Sequence, residues 1–147
     1  VKSKIWLPDG ENYMDYQEIE AFIVDLMKKY KLIEVAYDPA FFERSAQVLL
    51  DRGVPMVNFP QTHSRMIPAC GNAYDLIANS RIRHDGNPTF TDQVLSAAQR
   101  TTDMGWRLSK GRSKRKIDSC IAMVMMLDRI TAPEPLDENP EVSIINL

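Results

Sequence analysis

Apolar residues recur at helical spacing in "DYQEIEAFIVDLMKKY", where Ile19, Phe22, Ile23, Leu26, Met27 and Tyr30 share one face. Asp15 followed by Glu18 predicts an N-cap with its reciprocal glutamate, and Lys28 and Lys29 suit the negative end of the helix dipole. "LIEVAY" is a short apolar run ended by "DP" and predicts a buried strand. "FFERSAQVLLDRG" returns to helical spacing with Gly53 as its stop, and "VPMVNF" predicts a second short strand. A third helix is expected from Ser64 or Pro68 to Asn79. "RIRHDGNP" reads as a strand and turn, "TDQVLSAAQR" as a helix and "GWRLSKG" as a strand. "KIDSCIAMVMMLDRI" is apolar nearly all round, which predicts a buried helix. At the two ends, "VKSKIWL" alternates as a strand does before the turn "PDGEN", and "TAPEPLDENPE" is a Pro-rich, acidic exit without packed structure.

Short strands alternating with helices predict an α/β layered domain. Residues 33–59 form a β-α-β unit, whose strands should be parallel neighbours with a right-handed crossover. The chain's 147 residues suit one such domain, with no internal repeat.

The net charge of -2 names no partner, but its distribution is uneven. Glu134, Asp137, Glu138 and Glu141 follow Thr131 with no base among them, so residues 1–130 carry about +2. From Arg107 to Lys116 there are six bases and no acid. Cys70 and Cys120 are far apart and predict small buried hydrophobes in a reducing compartment, not a zinc knuckle or disulfide framework. No apolar run reaches the roughly 18 residues that span a bilayer, and the N-terminus lacks a signal-peptide pattern, so a cytoplasmic location is expected. The absence of "GxxxxGK[ST]", a Gly-rich dinucleotide turn and "GxSxG" weighs against ATP hydrolysis, nicotinamide chemistry and serine hydrolysis.

Two acids stand out. Asp38 lies at the carboxyl end of a predicted strand, where open α/β sheets gather ligands. It is equally suited to cap the next helix ahead of Pro39. Asp118 opens the apolar helix, and in projection it lies near Ile121, Ala122 and Met125, which predicts an inward-facing carboxylate. Such a group needs a cation, and a metal ion or a lysine such as Lys110 or Lys116 meets the need. Asp85 is the reserve ligand; His84 is a turn residue or a ligand, and Trp106 packs in the core or stacks on a base. The run Lys110, Arg112, Lys114, Arg115, Lys116 is either a solvated loop or, beside metal-binding acids, a grip on a polyanion backbone.

"YDPAFFERSAQVLLDRGVPMVNFPQT", "RIRHDGNP" and "KGRSKRKIDSCIAMVMMLDR", preceded by "PDGENYMDYQEIEAFIVDL", resemble the C-terminal nuclease domain of tailed-bacteriophage terminase large subunits. The resemblance covers residues 8–130 and implies an RNase H-like fold, a mixed sheet flanked by helices. It also implies a carboxylate cluster that binds two Mg²⁺ or Mn²⁺ ions for phosphodiester hydrolysis. Asp38 and Asp118 match two of the family's acids. Its first acid lies on a strand upstream of Val1, and its ATPase motor is absent. The chain is therefore expected to be a fragment, a partial nuclease domain over 1–130 with a tail over 131–147, weak or inactive alone. The implied partners are double-stranded DNA, the terminase small subunit and the portal, in the host cytoplasm. An unpaired sheet edge would favour homo-oligomers. The competing readings are a catalytically incomplete RNase H-like module that binds nucleic acid or a partner, and an α/β interaction module whose Asp-Pro is only a cap.

Overall fold

The computed structural model describes residues 1–6 and 14–132. The "PDGEN" turn and the acidic tail lie outside the described residues. Helix α1, Tyr16–Lys29, starts where expected, with Asp15 accepting from the Gln17 and Glu18 N–H groups. Glu18 does not reciprocate: its Oε1 takes the Trp6 indole N–H at 2.9 Å, while Trp6 stacks edge-on against Phe22.

The β-α-β unit is β1 (Val35–Tyr37), α2 (Pro39–Leu50) and β2 (Met56–Asn58), with the strands parallel and Ala36 opposite Val57. Gly53 turns the chain between α2 and β2. At φ +79 it takes the left-handed conformation that a side chain resists, and Val54 N–H then returns to Leu49 O.

Helix α3, His63–Ala78, carries Pro68 within it and forfeits one helix hydrogen bond there. Helix α4 spans Pro88–Leu95 and is capped by Asn87, whose side chain accepts from Phe90 N–H. Strands β3 (Gln99–Thr102) and β4 (Gly105–Leu108) form an antiparallel hairpin. Helix α5 is Asp118–Thr131.

Three expectations fail here: residues 1–6 form no strand, and two later elements differ as well. The helix drawn through Arg100 stops at Leu95, and Gln99–Thr102 is a strand instead. Local propensity is weak there, and pairing with β4 decides it, because Trp106 is needed against Tyr74 of α3 (ring centroids 6.0 Å apart). No strand forms at "RIRH" either. That segment is instead tied to the chain's start, with Asp85 N–H donating to Val1 O at 3.0 Å and the Val1 amino group to Arg83 O.

The core lies between α3, α4, α5 and the hairpin, where Phe59, Met66, Cys70, Ile117, Ile121 and Val124 are almost fully buried. Among the described residues the strands form two separate pairs flanked by helices, not one continuous mixed sheet.

Candidate functional site

Asp38 sits where the chain passes from β1 into α2. It is half-buried, and its Oδ1 accepts from Ala40 N–H at 3.2 Å, the capping role that its position before Pro39 allows. Just before it, the Tyr37 hydroxyl donates to Glu43 Oε2 and pins the first turns of α2 to the strand. The cap uses one carboxylate oxygen.

Asp118 is the first residue of α5, and the inward orientation expected for it is not found. Its side chain is 59 % exposed, and its Oδ1 lies 2.6 Å from Lys110 Nζ. The helix buries Cys120, Ile121, Met123, Val124, Met125 and Leu127, but Ala122, one turn beyond Asp118, faces out. The stripe holding Asp118 and Ala122 therefore runs along the margin of the buried face. Lys110, one of the two lysines named for it, is its ion-pair partner.

Helix α5, which Asp118 opens, packs on β1, which Asp38 follows. Arg129 near the end of α5 grips Glu34, just before β1, with bonds of 2.6 and 2.7 Å. Ile33 and Ala36 line one groove together with Ala122, Met125 and Ile130 of α5.

Residues that the sequence did not single out hold the start of α5 in place. Ile117 caps α5 without a side-chain bond, and Gln93, buried in α4, supplies the missing acceptor. Its Oε1 takes Ser119 N–H at 2.8 Å and Ser119 Oγ–H at 2.9 Å. The available signal was a glutamine on a helix face that otherwise buries Phe90. The basic loop is anchored at both ends. Ser113 Oγ donates to Ser109 O and accepts from Ala98 N–H, and Arg115 meets both oxygens of Asp92 at 3.1 and 3.0 Å. Arg112, Lys114 and Lys116 are exposed, and no ion pair engages them among the described residues.

The remaining candidates lie elsewhere in the local bonding. Asp85 accepts from the Ser3 and Asn87 N–H groups, which hold its carboxyl below the usual range. His84 Nδ1 accepts from Gly86 N–H, the turn role. Trp106 is half-buried against the core. For the divalent ions that the resemblance implies, the carboxylate oxygens are right in kind, but such ions take about six oxygen ligands. Asp38 and Asp118 each spend an oxygen on a local contact, and no three His, Cys, Asp or Glu residues converge among those described. The described residues do not make a complete ion site.

Residues 7–134 match the family model described as terminase large subunit, endonuclease domain. The terminase large subunit of Enterobacteria phage HK97 is 28% identical over 116 residues, which are 76% of this chain and 23% of the relative. The crystal structure of the HK97 bacteriophage large terminase superposes with a TM-score of 0.69 at 27% identity, over 77% of this chain and 24% of that one. This chain therefore spans about a quarter of the length of these relatives. The shared fold is RNase H-like, with small sheets flanked by helices.

Proposed function

Because the chain belongs to the terminase large subunit endonuclease-domain family, we propose that it is a metal-dependent endonuclease unit of a phage DNA-packaging enzyme, acting on concatemeric double-stranded DNA. In this reading Asp38 and Asp118 are the carboxylates that the chain contributes to an ion centre. The remaining ligands come from outside the described residues. Mg²⁺ or Mn²⁺ there would supply the charge that phosphodiester hydrolysis needs.

What supports the proposal is the family match over residues 7–134, together with the double bond from Arg129 to Glu34 that ties α5 to the chain just before β1. Beside Asp118, Lys110, Arg112, Lys114 and Lys116 offer charge suited to a phosphate backbone, which such side chains neutralise irrespective of base sequence. The terminase small subunit, the portal and a second copy of this chain are the proposed protein partners.

Calorimetric titration of Mn²⁺ into the full chain, into Asp38→Asn and into Asp118→Asn tests the ligand roles. Both variants should lose ion binding, and either one that binds as the parent does is not a ligand. Nicking of supercoiled plasmid in Mn²⁺ then tests the reaction.

A second reading is favoured by the incomplete ligand set: a module that binds DNA or a packaging partner without cutting. It predicts salt-sensitive DNA binding with no nicking at any Mn²⁺ concentration.

A further inference from the structure

Two apolar hollows, of about 240 and 290 Å³, meet beside α3, α4 and α5. Ile77, Val94 and Met123 line both, so the hollows form one groove, and no Asp, Glu, Lys or Arg among the described residues lines it. Leu95, Tyr74 and Ile77 stand along it 81 %, 62 % and 48 % exposed. Single apolar side chains in water are ordinary, but three on one groove mark a surface that something covers. At one end Ile82 enters the groove between Arg81 and Arg83, which are exposed and in no ion pair among the described residues. Neighbouring acids are engaged or turned away. Asp85 accepts from the Ser3 and Asn87 N–H groups, Asp92 holds Arg115, and Asp75 lies about 160° round α3 from Ile77. A segment that fits this groove carries apolar side chains and carboxylates, and no base to meet Arg81 and Arg83.

Residues 133–147 have that chemistry: Glu134, Asp137, Glu138 and Glu141 with no base, then Val142, Ile144, Ile145 and Leu147. We infer that the groove is the docking site of the chain's own residues 133–147, the apolar end filling the hollows and the acids meeting Arg81 and Arg83. The reach suffices. Met123 lies about 14 Å back along α5 from Ala132, and the chain from Ala132 to Val142 extends up to about 33 Å. Docking removes apolar surface from water on both sides, and the tether keeps the segment at a high effective concentration. Two other surfaces fit less well. The groove beside β1 offers Lys31 but also Glu34, and the loop of Arg112, Lys114 and Lys116 offers charge alone.

In the full chain, Ile144→Cys is paired in turn with Leu95→Cys in the groove, Ile33→Cys beside β1 and Lys114→Cys on the basic loop, and each pair is treated with a short bismaleimide. All three partner positions are exposed, while Cys70 and Cys120 are buried, so the reagent meets the engineered thiols. The Leu95 pair should close within the monomer about five-fold or more faster than either other pair. Adding Arg81→Glu and Arg83→Glu should slow it about two- to five-fold at low salt. Equal rates for the three pairs, a faster Ile33 or Lys114 pair, or no effect of the two charge reversals overturns the inference. Covalent dimers in place of the monomeric product assign the groove to a second copy and overturn docking within one chain.

Discussion

At the scale of single residues, the same side-chain type opens two helices in two ways. Asp38 bonds forward to its own helix, as expected of an acid before proline. Asp118 reaches sideways to a lysine that only the fold delivers. Counting apolar neighbours at helical spacing put Asp118 inward. That count treats the apolar face as uniform, and Ala122 on the same stripe is in fact exposed. Gly105 has a sharper local constraint. Its φ is +127, and a methyl group there would lie 2.9 Å from Ile67 Cγ2, so Gly105→Ala should cost about 2 kcal/mol or more in urea unfolding.

The buried thiols behave as small hydrophobes, as their spacing suggested. Burial, with Cys70 as a neighbour, pushes the Cys120 thiol from 9.0 up to about 11. The unfolded chain therefore loses this proton first. The thiol's contribution to stability is present below about pH 9 and fades as pH rises to about 11. Urea midpoints measured across that window should fall more for the parent than for Cys120→Ala.

At the scale of elements, a largely buried ion pair fixes α5 to the chain before β1. The Arg129 side chain is 5 % exposed and meets Glu34 through two short bonds. Glu34→Gln should lower stability by about 1 to 3 kcal/mol in thermal or urea unfolding, because a largely buried guanidinium loses a charged partner. At the other end, Gln93→Leu removes the acceptor of Ser119 N–H and should cost about 1 to 2 kcal/mol. A loss of Mn²⁺ binding in Gln93→Leu larger than its loss of stability would mark a positioning role. Helices α1 and α2 were legible because their spacing and caps agree, and α5 because its sequence is apolar nearly all round. The hairpin was not, since Gln99–Thr102 has no strand character until β4 lies beside it and Trp106 finds Tyr74.

At the scale of the molecule, function depends on how charge is distributed over the fold. Arg115 is held by Asp92 and Lys110 by Asp118, so the bases open to a polyanion are chiefly Arg112, Lys114 and Lys116. Replacing these three by Met should weaken DNA binding and lower the slope of log affinity against log salt by about 2 to 3. Binding with an unchanged slope would take this loop out of the DNA interface. Although the loop was visible in the sequence as a run of bases, its split into paired and open members was not. Asp92 lies on a different helix, and nothing in the local pattern links it to Arg115.

The sequence alone determined the helices and parallel strands whose spacing, caps and stops agree, the burial of both cysteines and the resemblance that led to the family. These depend on interactions within a few residues or on solvent exclusion from one face, and both leave a periodic record in the chain. Tertiary structure alone decided that Arg129 ties α5 to Glu34, that Gln93 caps it, that Gln99–Thr102 is a strand, and that Lys110 rather than a buried pocket meets Asp118. Each of these joins groups remote in sequence, whose meeting is set by the packing of whole elements.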